Sequence, residues 1–292
     1  MVQLTKKILK SVLNNLPTQK VYAEVYSLGL NELLEGRTAL VTGGTSGIGY
    51  EIAKAFLNSG CNVVITGRFT EQIQIAVNNL KKETSNRRAV LGVAMDNSKV
   101  ETFEDCMNII LTKLEKLNLM PRIDILVNNA GQLGGDIRST TEQNYDAVLN
   151  VNLKGAFFLS RLVAKHMIEM NSSGNILNIG SSSCLRPAIS AYTLSKWGLR
   201  ALTLGLAKTY APYGITVNGL APGPTATAML SKDKHSNIAN DKSPIGRYIM
   251  PEEISNMAVI LVSPIGRSIV GDMIYMTGGA GLITYDDIDY SF

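Results

Sequence analysis

Cysteine is scarce in this chain of 292 residues: there are three, Cys61, Cys106 and Cys184, far apart and odd in number. No CxxC pair or Cys/His cluster occurs, so neither a disulfide framework nor a zinc site is indicated, and buried thiols in a reducing compartment are expected. Histidine is scarcer still. His166 and His235 have no metal-ligating neighbours in sequence, so they read as packing or surface residues, His235 as solvent-exposed. An excess of one charge is also missing. The formal net charge of +4 is too mild for a nucleic-acid protein, which would carry a basic patch with aromatic residues between the charges. No uninterrupted apolar run reaches the ~20 residues that a membrane span needs. The opening "MVQLTKKILKSVLNNLP" is basic but lacks the apolar core of a signal peptide. Cytoplasm is the expected location. Internal repeats and low-complexity linkers are absent as well, so a single main domain is expected.

What is present is an ordinary globular composition, 45% hydrophobic and 18% charged with 26 glycines. Residues 1–36 stand apart as an N-terminal extension. Leu4, Ile8, Leu9, Val12, Leu13 and Leu16 recur at helical spacing with Lys6, Lys7 and Lys10 among them, and Pro17 ends the pattern. An amphipathic helix packed on its own or a neighbouring subunit fits, with a membrane-surface helix as the alternative.

From Arg37 to the end the text changes. "TALVT" (38–42), "NVVIT" (62–66), "AVLGVA" (89–94), "IDILV" (123–127), "NILNIG" (175–180), "ITVNGLA" (215–221) and "MIYMT" (273–277) read as strands. Several are apolar on both faces, as strands covered on both sides by helices must be. Helical patterns at 48–58, 71–82, 142–170, 191–211 and 251–262 lie between them. This alternation predicts an α/β domain over 37–292: a doubly wound, Rossmann-like, seven-stranded parallel sheet with helices on both faces.

The first strand runs into "TGGTSGIG". Gly43, Gly47 and Gly49 fall in the turn between strand and helix, with Thr45, Ser46 and Ile48 between them. Glycines there let the backbone turn tightly and approach a pyrophosphate lodged at the helix N-terminus. The second strand ends "VVITGRF". Gly67 leaves room and Arg68 offers a planar cation suited to a 2′-phosphate, which favours NADP(H) over NAD(H); an arginine with no cofactor role is the plain alternative. Glu71, the nearest acid, falls on the following helix. Tyr192 and Lys196 are one helical turn apart in "SAYTLSKWGL", so a helix puts both on one face.

These elements, with "NNAG" (128–131), "VNLKGAF" (151–157), "NIGS" (178–181), "YTLSK" (192–196) and "PGPTAT" (222–227) in that order, resemble the short-chain dehydrogenase/reductase family in its compact single-domain branch, over about residues 36–280. The resemblance implies an oxidoreductase that transfers a hydride between NADP(H) and a carbonyl or alcohol. Tyr192 would be the general acid/base and Lys196 its activator, also bonding the nicotinamide ribose. A nearby cation favours a phenolate and is expected to lower the tyrosine pKa. Ser181 would hold the substrate oxygen, with Ser182 as a rival register, and Asn152 would hold a water near the lysine. Asp96 and Asn97 would contact adenine, Asn129, Ala130 and Gly131 shape the cofactor floor, and Pro222, Gly223, Thr225 and Thr227 meet the nicotinamide carboxamide. A substrate lid is expected at about 226–249, and a homotetramer or homodimer for the assembly. One departure stands out: Ser181 precedes Tyr192 by 11 residues, about two fewer than is common in the family. The acidic, aromatic "YDDIDYSF" at the C-terminus reads as a subunit-interface segment.

Two other functions fit the sequence less well. A sugar-nucleotide epimerase or dehydratase usually has a differently spaced glycine turn and a longer C-terminal region than the about 70 residues that follow "PGPTAT" here. A non-catalytic cofactor-binding or regulatory protein would be expected to have a broken tetrad, and none of the four positions is broken.

Overall fold

The computed structural model describes residues 32–84, 88–227, 229, 237–240 and 243–283. The amphipathic pattern of 4–16, His235 and "YDDIDYSF" lie outside the described residues. Seven strands form one sheet: β1 (Thr38–Val41), β2 (Asn62–Gly67), β3 (Val90–Ala94), β4 (Ile125–Asn128), β5 (Asn175–Ile179), β6 (Thr216–Pro222) and β7 (Met273–Met276). The order is β3-β2-β1-β4-β5-β6-β7, and every pairing is parallel. Because the chain reverses direction across the sheet between β1 and β4, a crevice opens at their C-terminal ends, where ligands of open α/β sheets gather.

The helices are α1 (Gly47–Asn58), α2 (Thr70–Glu83), α3 (Phe103–Lys116), α4 (Glu142–Leu149), α5 (Gly155–Glu169), α6 (Ala191–Tyr210) and α7 (Pro251–Val262). Strand side chains alternate between two cores. Ala39, Val41, Val63, Ile65, Ile125 and Val127 face one, with Ile52, Phe56, Leu80 and Ile254 from α1, α2 and α7. Leu40, Val64 and Leu126 face the other, with Ile110, Leu114, Leu159 and Val163 from α3 and α5. This period-2 division is why the strands read as apolar on both faces. The packed body begins before Arg37, since Leu33 and Leu34 join the first core and Leu34 N–H bonds Ser59 O.

The helix expected over 142–170 is not uniform. α4 and α5 are joined by a π-helical segment, Asn150–Lys154. The whole run Glu142–Glu169 passes for a membrane span by length and apolar content, although no single uninterrupted apolar stretch does. Here Leu159, Val163, Ala164 and Met167 are buried in the second core.

α6 holds a fixed start because Ser190 caps it, its side chain accepting from Thr193 N at 3.1 Å. Its depth is set by polar groups. Asn128 Nδ2 donates to Ser160 Oγ of α5 and to Asn178 Oδ1 of β5, each at 2.8 Å, and Asn178 Nδ2 donates to Thr203 Oγ1 of α6 at 2.9 Å. Such a buried network allows one alignment of helix and sheet, since a slip would strand polar groups without water.

Candidate active site

A cleft of about 360 Å³ runs across the C-terminal ends of the strands. The glycine turn after β1 forms its floor. Gly43 and Gly47 have φ of 61° and 57°, the left-handed region that glycine adopts at little cost. Gly49 is needed for closeness instead. A Cβ there would lie 2.3 Å from Asn129 Nδ2 and 2.5 Å from Gly43 O. Gly49 therefore does not line the cleft; it lets α1 press against the turn after β4. That turn is pinned by Asn129, whose Nδ2 donates to Thr42 O at 2.9 Å and Gly43 O at 3.0 Å, and by Thr42 Oγ1, which accepts from Ala130 N at 3.0 Å.

Helix α1 opens onto the cleft with no side-chain cap on Ser46 and no acidic residue in its first turn. Its first N–H groups and positive dipole end thus open onto the cleft with no acidic side chain in that turn, which fits a pyrophosphate. At one end of the cleft Arg68 follows β2, exposed, with its guanidinium carbon 5.4 Å from the Phe69 ring centre. Asp96 and Asn97 line the same end. Asp96 Oδ1 accepts from Ser98 N and Oγ at 2.9 and 2.8 Å. The residues present therefore fit a dinucleotide with a charged group on its adenosine side.

Tyr192 and Lys196 line the other end, on the first turns of α6. Lys196 Nζ is buried, donates to Ile179 O at 2.8 Å and lies 5.6 Å from the Tyr192 ring centre. Burial pushes its pKa down to about 8. Burial also raises the Tyr192 hydroxyl, while a hydrogen bond with Ser181 pulls the other way. The expected lowering of the tyrosine pKa by the lysine is thus not what the protein alone displays: desolvation of the ring hydroxyl dominates, and Lys196 is engaged with a carbonyl.

Ser181 follows β5 in extended conformation and its side chain accepts from Ser183 N, starting a short 3₁₀ turn, Ser182–Leu185. Of the two serines, Ser181 is half-buried and Ser182 is buried in the turn, and neither lines the cleft. Asn152 lies in the π-helical segment, 2% exposed. Its Nδ2 donates to Gln132 O and Ser195 Oγ, both at 3.0 Å, and its Oδ1 accepts from Gln132 N at 2.9 Å. The side chain is therefore saturated by the loop after β4 and by α6, and it does not line the cleft.

Gly131 and Thr227 are at the cleft wall, but Pro222, Gly223 and Thr225 are not. Pro222 closes β6, Gly223 N bonds Met276 O at 2.9 Å, and Thr225 Oγ1 folds back on Gly223 O at 2.9 Å. They hold Thr227 in place. The ends of the segment 226–249 are tied together, Ala226 N to Ile249 O at 2.8 Å, and within it Asn240 N bonds Gly246 O at 2.9 Å. Gln132, from the loop after β4, and Met229, from the segment expected as a lid, line the cleft, and so do Met95 and Val151, which are not candidates from the sequence. Each directly precedes, follows or lies within two residues of an expected one, which is the signal that could have found them. His166 is part-buried and its Nε2 accepts from Ile123 N at 3.4 Å, a packing role. All three cysteines are free and buried.

Residues 37–237 match the short chain dehydrogenase family. The chain belongs to it. Among similar proteins is (2S)-[(R)-hydroxy(phenyl)methyl]succinyl-CoA dehydrogenase subunit BbsD of Thauera aromatica, 32% identical over 253 residues, covering 85% of this chain and 98% of the relative. Gluconate 5-dehydrogenase of Gluconobacter oxydans is 33% identical over 254 residues, covering 84% and 95%. A short chain dehydrogenase from Burkholderia cenocepacia J2315, solved in complex with NADP, superposes with a TM-score of 0.73 at 32% identity, covering 85% of this chain and 98% of that one. As a member of the short-chain dehydrogenases, the protein is an oxidoreductase of the NAD(P)-using kind, and its seven-stranded parallel fold is that of its relatives.

Proposed function

We propose that the protein interconverts a carbonyl and an alcohol using NADP(H), with Tyr192 as general acid/base. The observation that carries this reading is the presence of Tyr192 and Lys196 in one cleft with Arg68, with Lys196 Nζ tied to Ile179 O at the end of the strand that leads to Ser181. When bound, the nicotinamide supplies the hydride in reduction and takes it in oxidation.

The chain's own groups do the rest. The raised pKa of Tyr192 keeps its hydroxyl protonated near neutral pH, the form that donates to a substrate oxygen during reduction. Ser181 supplies a second hydroxyl beside it, so an oxygen placed between them meets two donors as charge develops. Burial lowers the Lys196 pKa to about 8, so it is charged near neutral pH yet gives up its proton more readily than an exposed lysine. Asn152 fixes the loop at Gln132, which lines the cleft, against α6 through Ser195. Arg68, exposed at the cleft end, is suited to a 2′-phosphate by its planar fork of donors.

The curated relatives from Thauera aromatica and Gluconobacter oxydans support this class, since both are dehydrogenases of hydroxyl compounds. A homo-oligomer goes with the reading, supported by the exposed Phe157, Leu194, Trp197 and Leu204 on α5 and α6. The test is a fluorescence titration with NADPH and NADH followed by a carbonyl panel run with Tyr192→Phe as control. NADPH binding tenfold or more tighter than NADH, about 1.4 kcal/mol, and turnover lost in the variant are the expected results. Binding of neither nucleotide would overturn the reading.

A further inference from the structure

Between Tyr192 and Lys196, on the same helix, sits a serine that takes no part in the reaction outlined above. Ser195 is 0% exposed and does not line the cleft. Its Oγ donates to Tyr192 O at 2.7 Å and meets Asn152 Nδ2 at 3.0 Å. Hydrogen counting fixes each direction, because an amide nitrogen only donates and a hydroxyl has one hydrogen and two lone pairs. Asn152 Nδ2 spends one hydrogen on Gln132 O and the other on Ser195 Oγ, while its Oδ1 accepts from Gln132 N. Ser195, accepting from Asn152, sends its single hydrogen to Tyr192 O. The bonds thus run unbroken from the loop at Gln132 to the backbone of Tyr192.

Both ends of this path, Gln132 and Tyr192, line the cleft. Its two middle members, Asn152 and Ser195, are buried, where a lost partner is not replaced by bulk water. The surrounding backbone is shaped to close it. Asn152 lies in the π-helical segment, an irregularity that proteins use mostly at functional sites. Its neighbour Leu153 packs directly on α6 at Gly198, where a Cβ would lie 2.6 Å from Leu153 Cδ2. Gly155, just past the segment, makes room for Asn97 O, which would lie 2.2 Å from a Cβ there. Asn152 is therefore held by a segment wedged between α6 and the turn after β3, and it passes that constraint to Ser195.

We propose that Ser195 is a positioning residue for the carbonyl/alcohol step, holding the backbone of Tyr192 in register with the cleft-lining loop at Gln132. The inference rests on the reading of Tyr192 as general acid/base given above and deepens it. A general acid works only within hydrogen-bond reach of the oxygen it protonates. A misplacement of about 1 Å costs on the order of 10²-fold in rate. Without the Ser195 hydroxyl, Asn152 Nδ2 has a hydrogen with no acceptor and Tyr192 O loses a donor. Asn152 then gains by turning away from Gln132, and the loop and the first turn of α6 lose their shared register.

The test is single-turnover reduction of cyclohexanone, butane-2,3-dione and ethyl acetoacetate by enzyme already saturated with NADPH. Loss of NADPH absorbance gives a rate constant, which reports geometry, and an amplitude, which reports the fraction of competent enzyme. Ser195→Ala should lower the rate constant by about tenfold or more, with amplitude, NADPH affinity and the shape of the pH profile kept. Ser195→Cys, near in size with a weak donor and acceptor, should fall between alanine and wild type. A packing role alone gives the reverse order, because alanine fits without strain and the larger sulfur does not. That reverse order, or a wild-type rate constant in Ser195→Ala, overturns the proposal. So does a changed pH profile, which would give the hydroxyl a part in proton transfer. If only Ser195→Ala loses NADPH binding, Ser195→Cys decides, a slowed rate supporting the proposal and an unchanged one overturning it. Lost binding in both variants overturns it as well, since Ser195 would then serve the fold. In all these cases Tyr192-dependent turnover by wild type keeps the parent reading intact. If wild type binds neither nucleotide or reduces no member of the panel, the parent reading falls, and this one with it.

Discussion

Lys196 Nζ donates to the main-chain oxygen of Ile179 at 2.8 Å, so the lysine of α6 is tied to the strand end that carries Ser181. The bond explains how two elements far apart in sequence hold their polar groups in one geometry. It also places an ammonium where water cannot reach, which has a consequence for stability.

Burial lowers the Lys196 pKa from 10.5 to about 8. Below about pH 8 the lysine is charged whether the chain is folded or not, and the folded state bears the desolvation penalty. Above 10.5 it is neutral in both and the penalty is gone. Between these values the unfolded chain binds more protons, so the Lys196 contribution to stability rises with pH. Lys196→Met is therefore expected to be more stable than wild type at pH 7, by up to ~3 kcal/mol, with the gain shrinking toward pH 10.5. Urea unfolding of both proteins across that range measures the difference. A gap that does not change with pH would show that the lysine is not buried as a charge.

The Tyr192 hydroxyl is shifted the other way, above 10, chiefly by desolvation. Carbonyl reduction needs the protonated form, so its kcat should be flat between about pH 6 and 8, whereas alcohol oxidation should accelerate as pH rises. Tyr192→Phe should lose about 10²- to 10⁴-fold in kcat while retaining NADPH binding. Pre-steady-state and pH-rate measurements in both directions check this. An oxidation rate that falls as pH rises would remove Tyr192 as the base.

Two glycines should respond to alanine with opposite signs. At Gly49 the new Cβ would meet Asn129 Nδ2 at 2.3 Å and Gly43 O at 2.5 Å, so α1 must back away from the turn after β4. A loss of about 1–3 kcal/mol and weaker nucleotide binding are expected. Gly205 lies in α6 with ordinary φ and nothing within 4 Å of its Cβ position. There alanine removes a flexible residue from a helix interior and should stabilise by about 0.5–1 kcal/mol. Chemical denaturation of the pair, with NADPH titration of each, reads both signs.

The contrast between these glycines marks what a sequence conveys. All seven strands were legible from short apolar or β-branched text, several of them apolar on both faces, and the glycine turn was legible because its position after β1 and before α1 is a local pattern. α3 was not singled out, although its buried Phe103, Cys106, Met107, Ile110 and Leu114 keep helical spacing; the charges between them mask the face. The π-helical break at Asn150–Lys154 was not legible, because its cause is tertiary: Asn152 is held by Gln132 and Ser195, residues 20 and 43 positions away. The same holds for the rise in the Tyr192 pKa. Sequence puts a lysine one turn away, but only the packed structure turns that lysine toward Ile179 and dries the ring. Pro222, Gly223 and Thr225 occupy familiar text yet stand behind the cleft, since contact depends on where the chain goes after β6.

Arg68 gives the last test, and it separates charge from shape. The guanidinium is exposed at the end of the cleft and stacked near Phe69, so it is hydrated and its attraction for a phosphate is screened by salt. Bidentate hydrogen bonding to a 2′-phosphate would still exceed that screening, whereas the ribose hydroxyl of NADH offers no charge to meet. Arg68→Ala should therefore weaken NADPH by about tenfold or more and hardly alter NADH, and the NADPH deficit should shrink as salt is added. Fluorescence titrations of both nucleotides at two ionic strengths measure all four affinities. Equal weakening of NADPH and NADH would mean that Arg68 shapes the adenosine end of the cleft through packing on Phe69, and the preference for the phosphorylated nucleotide would have to come from elsewhere in the site.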